Sequence, residues 1–466
     1  MSTVGEHASV VGTHCASTDY GDALPFQLRV VFRHPQFPVT PWAAHVHWTF
    51  ASRNAPAILD TTALVRYLPR PMAGLVVKPR SRILHGHDWV YSSEVLKVWG
   101  QPKDGDVIAV KDGKDRLLGS SIYNSKSQIV ARRFSRQKQD LDVDFFHRRI
   151  QQAIQYRTRR QLATEAGRLV WSESDGLPGL IVDRYGPHLV LQTLTLAMEQ
   201  RQDLIVQALQ AILQPASIIE RNDAPIRKAE GLESRVAVLS GKAPEPFWQK
   251  IGALEFEVDL LRGQKTGFYL DQVDSYAGVA AHASGRRVLD CFANQGAFAL
   301  TCAKAGASRV QAVEISTDAC AQIRRNADHN QIAVDVVEQN VFDFLKLADS
   351  VALNAGEGAR YDLIVLDPPS FTKSKGKVDD AMRGYKEIHL RALKLLTNEG
   401  LLATFCCSHH VSRDLFLETV NAAAVDARRT LRQIGTFSQA LDHPIITTLP
   451  ETEYLKGFLF ELAPGR

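Results

Sequence analysis

The regular alternation of strands and helices that begins near Ile251 constrains this chain more than any other feature. Val288–Cys291 reads as a strand, Ala297–Ala305 as a helix, Val310–Glu314 as a strand, Asp318–Asn330 as a helix and Val334–Val337 as a strand. Leu363–Leu366, Tyr385–Leu396 and Leu401–Cys407 continue as strand, helix and strand. Such alternation predicts an α/β, doubly wound parallel sheet, whose ligands sit outside the carboxyl ends of its strands.

The chain before it reads differently. Residues 1–72 mix isolated aromatics, Pro35, Pro38, Pro41 and several histidines without a sustained period, and are expected to be a poorly ordered extension. Val107–Val110, Leu117–Tyr123 and Gln128–Arg133 are short, β-rich and separated by turns such as Asp112-Gly113, which predicts a compact β-barrel over 73–140. A helix from Asp144 to Ala166 and strands at Leu169–Glu173, Leu180–Asp183 and Leu189–Thr195 predict a small α+β domain over 141–250, followed by the α/β domain over 251–466.

Composition excludes several classes. No apolar run approaches the roughly 18 residues of a membrane helix. The six cysteines (Cys15, Cys291, Cys302, Cys320, Cys406, Cys407) form no CxxC pair, so neither a disulfide framework nor a zinc site is expected, and the default is a reduced, cytoplasmic protein. A net charge of +4 identifies no partner, but basic residues crowd together from Ala131 to Arg160. Such a cluster can neutralise phosphates or form a solvated helix face.

The first strand of the α/β region ends in Asp290-Cys291-Phe292-Ala293-Asn294-Gln295-Gly296. With Gly296 alone, the three-glycine spacing that closes a backbone on a pyrophosphate is missing. Glu314 ends the next strand, 24 positions after Asp290, where an acid can accept hydrogen bonds from both ribose hydroxyls. Asn340-Val341-Phe342-Asp343 adds a carboxylate and an apolar residue suited to an adenine ring. An adenosine without phosphate, held at a parallel sheet, points to S-adenosylmethionine.

Two further strand ends carry candidate chemistry. Leu366-Asp367-Pro368-Pro369 holds Asp367 on a rigid lip, because the two prolines fix the backbone and remove two donors. Phe405-Cys406-Cys407-Ser408-His409-His410 ends the next strand, and since neighbouring strand residues face opposite sides, one of the two cysteines should reach the pocket. Carbon 5 of a pyrimidine is a poor nucleophile until a thiolate adds at carbon 6. The site is expected to lower that thiol's pKa, through His409, His410 or helix dipoles.

The motifs Gln264-Lys265-Thr266-Gly267-Phe268-Tyr269-Leu270-Asp271-Gln272, Asp290–Phe298, Asp367–Phe371, Arg383-Gly384-Tyr385-Lys386 and Cys406–His410 together resemble the RlmI-like family of ribosomal RNA large-subunit cytosine-5 methyltransferases, over residues 74–466. The resemblance implies a β-barrel PUA domain, a small α+β domain and a Rossmann-like class I methyltransferase domain. It implies that Lys265, Phe268, Tyr269 and Asp271 help form the S-adenosylmethionine pocket, that Asp290, Asn294, Glu314 and Asp343 line it beside Gly296 and Asp367, and that Cys407 is the nucleophile. The implied partner is ribosomal RNA of the 23S type, with no membrane; a homodimer is left open. The sequence departs from the family at Val273, where arginine is usual, and at Asp88, where proline is usual. Two rival readings are a guanine-nitrogen methyltransferase of the same fold, which needs no thiol, and a non-catalytic RNA-binding assembly factor.

Overall fold

Short β-branched segments separated by turns build the first layer. A computed structural model describes residues 73–162, 165–355, 359–372 and 375–464, so the expectation for 1–72 falls outside the described residues. β1 (Gly74–Val77), β2 (Trp89–Tyr91), β3 (Val95–Trp99), β4 (Val107–Lys111), β5 (Leu117–Tyr123) and β6 (Ile129–Ser135) form one sheet in the order β2-β6-β5-β4-β1-β3. Register shifts in β1, β2, β4 and β5 mark bulges, which bend strands around a small core of Leu75, Val90, Ile108 and Val110.

Helix α1 (Val143–Thr158) starts where Asp142 accepts a hydrogen bond from the Phe145 amide at 2.8 Å, and it buries Phe145, Phe146, Ile150 and Ala153. The expected continuation to Ala166 does not form. The chain reverses with Gln161 in the left-handed region (φ 56°), and the Leu162 amide bonds the Arg157 carbonyl at 2.9 Å. Arg157 itself is buried, with its guanidinium 2.7 Å from Asp175. The apolar face of α1 covers a second sheet of β7 (Ala166–Trp171), β8 (Leu180–Tyr185), β9 (His188–Thr193), β10 (Ser217–Asn222) and β11 (Arg235–Gly241), together with α2 (Gln202–Leu213). A hairpin, β12 (Phe247–Ile251) and β13 (Leu254–Val258), leads onward.

The basic cluster divides on folding. Arg132 pairs with Glu173 at 2.8 Å, Arg133 with Asp88 at 2.7 Å and Arg157 with Asp175, so these three are structural ion pairs. Arg136, Lys138, Arg148, Arg159 and Arg160 remain exposed.

After α3 (Val273–Ala280) come β14 (Arg287–Cys291), α4 (Ala297–Lys304), β15 (Arg309–Glu314), α5 (Thr317–His329), β16 (Asp335–Glu338), α6 (Val341–Ala355), β17 (Tyr361–Leu366), α7 (Val378–Leu395), β18 (Leu396–Cys406), α8 (Arg413–Asp426), β19 (Leu431–Phe437) and β20 (Lys456–Leu462). The predicted alternation is realised from β14 to β18, and α3, α6, α8, β19 and β20 were not predicted. The sheet order is β16-β15-β14-β17-β18-β20-β19, parallel except where β20 inserts antiparallel between β18 and β19. Alternate strand residues feed two cores: Val288, Leu363, Val365 and Phe405 face one layer of helices, and Leu289, Ile364, Leu366 and Cys406 the other. The chain runs outward from β14 to β16, then returns to β17, which opens a crevice at the carboxyl ends of β14 and β17. The three larger sheets and the β12–β13 hairpin belong to one compact unit, Pro71–Arg466. Among the described residues no helix is long and apolar enough to cross a membrane.

Candidate active site

A cavity of about 550 Å³ opens at that crevice. Its sheet-side wall begins with the loop after β14, where Phe292, Asn294 and Gly296 all adopt left-handed backbone, with φ of 65°, 50° and 81°. A side chain at position 296 would also bring Cβ to a tight 3.0 Å from the Ile323 side chain, so backbone conformation and packing both favour glycine there. The resulting turn presents Asn294 and Gln295 to the cavity. Glu314, at the end of β15, accepts from the Asn294 amide at 2.9 Å and from the amides of Ile315 and Ser316 at 2.8 and 2.9 Å.

The facing wall is the segment Gln264–Gln272. Two contacts tie it to the second sheet: Thr266 Oγ1 donates to Asp183 at 2.6 Å, and the Phe268 amide donates to the Tyr185 hydroxyl at 2.9 Å. Lys265 Nζ lies 2.8 Å from Asp271 Oδ2 and 4.1 Å from the centre of the Tyr269 ring. The same Asp271 oxygen accepts from the Tyr454 hydroxyl at 2.7 Å. Burial alone would raise the Asp271 carboxyl, but the charge of Lys265 and the hydrogen bonds from Lys265 and Tyr454 hold it well below the usual carboxylate range.

Asp367 and Cys407 complete the cavity, from the ends of β17 and β18. Burial, helped by the negative charge of Asp271, pushes the Asp367 carboxyl up to about 7, while Gln272 Nε2 donates to it at 3.0 Å. The strand alternation sorts the two cysteines as expected. Cys406 is fully buried in the far core and Cys407 lines the cavity. The expected lowering of the thiol is not found: burial and the Asp367 charge push Cys407 up to about 12, opposed by Lys265. His409 instead lines a neighbouring cavity of about 520 Å³, with Arg168, Trp171 and His443, that shares Lys265, Phe268, Asp271 and Tyr454 with the first. His410 is exposed and lines neither cavity.

Of the residues expected from sequence, Lys265, Phe268, Tyr269, Asp271, Asn294, Glu314, Asp367 and Cys407 line the cavity together. Three are placed elsewhere. Gly296 shapes the loop without reaching the cavity surface, and Asp343 is exposed in the first turn of α6. Asp290 lies buried behind the wall, accepting from the Ala299 amide at 2.9 Å, with burial pushing its carboxyl up to about 8. Phe342 packs near the cavity against Phe371, their ring centres 5.9 Å apart. Tyr454 and Leu455 were not foreseen, because they reach the cavity from the segment before β20, nearly 190 positions after Lys265, and carry no motif. Gln272 belonged to the quoted motif but had no assigned role.

The lining suits a phosphate-free adenosine. Four buried acceptors on cavity residues, Asp271 Oδ1, Gln272 Oε1, Asn294 Oδ1 and Gln295 Oε1, have no partner among the described residues, and hydroxyl or amine donors would satisfy them. The cavity's lysine is already committed to Asp271.

Comparison with known proteins agrees. The profile of the S-adenosylmethionine-dependent methyltransferase family matches residues 221–432, and that of the PUA-like domain matches 78–136. Ribosomal RNA large subunit methyltransferase I of Erwinia tasmaniensis is 38% identical over 389 residues, covering 82% of this chain and 98% of the relative. The Aeromonas salmonicida protein of the same name is 39% identical with the same coverage. A solved methyltransferase structure in complex with S-adenosylhomocysteine superposes with a TM-score of 0.72 at 22% identity, over 84% of this chain and all of that one, which shows a shared fold. With its methyltransferase and PUA-like segments and relatives matched across nearly their whole length, this chain belongs to the ribosomal RNA large subunit methyltransferase I family.

Proposed function

We propose that this protein methylates carbon 5 of a cytosine in 23S-type ribosomal RNA, in the cytoplasm, through a covalent adduct on Cys407. The observation that carries the reading is the shared cavity: Cys407 and Asp367 stand among the residues suited to S-adenosylmethionine, whereas Cys406 is sealed in the core. The RNA substrate is supported by the names of the relatives.

Each residue has a definable task. Glu314, Asn294 and the Gln264–Gln272 segment hold and orient the methyl donor, which when bound supplies an electrophilic methyl group to carbon 5. Burial and the Asp367 charge push the Cys407 thiol up to about 12, so at neutral pH it keeps its proton. Asp367, poised near 7, is the group able to accept it as Sγ bonds to carbon 6 of the base. Once carbon 5 carries the methyl group, its proton leaves to water and the Sγ–carbon 6 bond breaks. Sγ then recovers the proton held on Asp367, so one proton is released overall. Lys265 and Tyr454 keep Asp271 ionised, which places a fixed negative charge beside Asp367 and the cationic donor.

The test is nucleoside analysis of large-subunit ribosomal RNA treated with protein and labelled S-adenosylmethionine. The wild type should form 5-methylcytosine, and Cys407→Ala should form none while still binding the donor. Undiminished 5-methylcytosine from the variant would refute the adduct. Label in a guanine would support the nitrogen-methylating reading, and no label at all the assembly-factor reading.

A further inference from the structure

A third cavity, of about 550 Å³, lies between the end of β6 and helix α1, with Arg133, Arg136, Arg148 and Arg149 among its lining residues. Its charges are unbalanced. The only acid in the lining, Asp88, is taken by Arg133 at 2.7 Å. Among the described residues, Arg136, Arg148 and Arg149 have no carboxylate partner. Arg148 donates only to the amide oxygen of Gln139, at 3.2 Å, and Arg149 only to the Phe134 carbonyl, at 3.3 Å. Arg149 is half-buried, and burial together with the charge of Arg148 lowers its guanidinium pKa from the ordinary value. Arg132, Arg157, Arg168 and Arg227 each sit against an acid, and half-buried Arg184 stands without one but, unlike Arg149, has no second arginine beside it. A partly desolvated cation beside a second cation is costly unless an anion completes it.

One loop contributes to both this groove and the neighbourhood of the active site. Ile446 and Thr448 line the groove, and His443, a few residues earlier in the same loop, lines the cavity that shares Lys265, Asp271 and Tyr454 with the Cys407 cavity. Three arginines without carboxylate partners along one groove call for several anionic groups at once, as a polyanion supplies and a free phosphate or a single carboxylate does not.

We infer that this groove holds the phosphodiester backbone of the substrate RNA, with Arg136, Arg148 and Arg149 neutralising its phosphates; the inference rests on the RNA substrate proposed above. These contacts position the strand without reading its sequence.

The test is binding of a labelled large-subunit ribosomal RNA fragment to the full chain across a salt series. Arg136→Glu/Arg148→Glu replaces two exposed side chains, so folding is not at risk. It should weaken binding by about ten-fold or more at physiological salt and reduce the slope of log K against log salt by about 2. Donor affinity, and kcat at saturating RNA, should not change. Arg136→Lys/Arg148→Lys, which keeps both charges, should stay within about three-fold of the wild type. A charge-reversed variant with wild-type affinity and slope would overturn the groove while leaving the methylation reading intact. RNA that binds but gains no methyl group would sink that reading and leave the groove to be judged by the slope. A wild type without RNA affinity would overturn both.

Discussion

The two walls of the active cavity hold carboxylates in opposite states. On the segment wall, Asp271 receives Lys265 and Tyr454 on one oxygen and stays ionised far below the usual range. On the strand-end wall, Asp367 has only the Gln272 amide, and burial beside Asp271 pushes it up to about 7. The same side chain, in one cavity, is thus fitted to be a fixed charge on one side and, in the proposed reaction, a proton carrier on the other. Environment separates the roles, as it does wherever neighbouring acids divide acid–base work.

The division is open to attack at several points. The largest effect is expected at the proton carrier's partner: Cys407→Ala should lower kcat by at least about a thousand-fold, with donor affinity by calorimetry within a few-fold of the wild type. Comparable losses at Cys406→Ala would break the assignment of the two cysteines to opposite faces. Next, Asp367→Asn should lower kcat by about a hundred-fold or more and change the pH profile. In the wild type, protonation below about pH 7 removes the acceptor for the Cys407 proton, so kcat should fall as the pH drops through that value and level off above it. A variant retaining the same acidic limb would show that another group sets it.

Smaller effects sharpen the comparison. Glu314→Gln should weaken donor binding by roughly ten-fold and leave kcat at saturation nearly unchanged, because this side chain holds rather than reacts. Asp271→Asn removes the charge that helps to raise Asp367, so the acidic limb of the kcat profile should move to lower pH. A limb that does not move would mean the two walls are electrostatically independent.

Much of this was legible in the residues. The five strands predicted after Ile251 map onto β14 to β18, because buried strands and amphipathic helices are specified by local periodicity, whereas α6, α8, β19 and β20 were not read. The strand ends carrying Glu314, Asp367 and Cys407 followed from the same pattern, since topology sends those ends to one crevice. Gly296 was expected to line the cofactor pocket; in the fold it shapes the loop after β14 with a left-handed backbone close to Ile323 and does not reach the cavity surface.

By itself, then, the sequence determined the strands from β14 to β18, the alternation of their side chains and that only one of the two adjacent cysteines would face the pocket, all consequences of periods 2 and 3.6 acting locally. Tertiary structure alone decided that Tyr454 would bond Asp271 and that Arg132, Arg133 and Arg157 would be consumed in ion pairs while Arg136, Arg148 and Arg149 were left over. It also decided that the Cys407 thiol would be raised rather than lowered. The reason is physical: hydrogen-bond partners and desolvation depend on distances across the fold, and residues far apart in the chain carry no local signal of where folding will bring them.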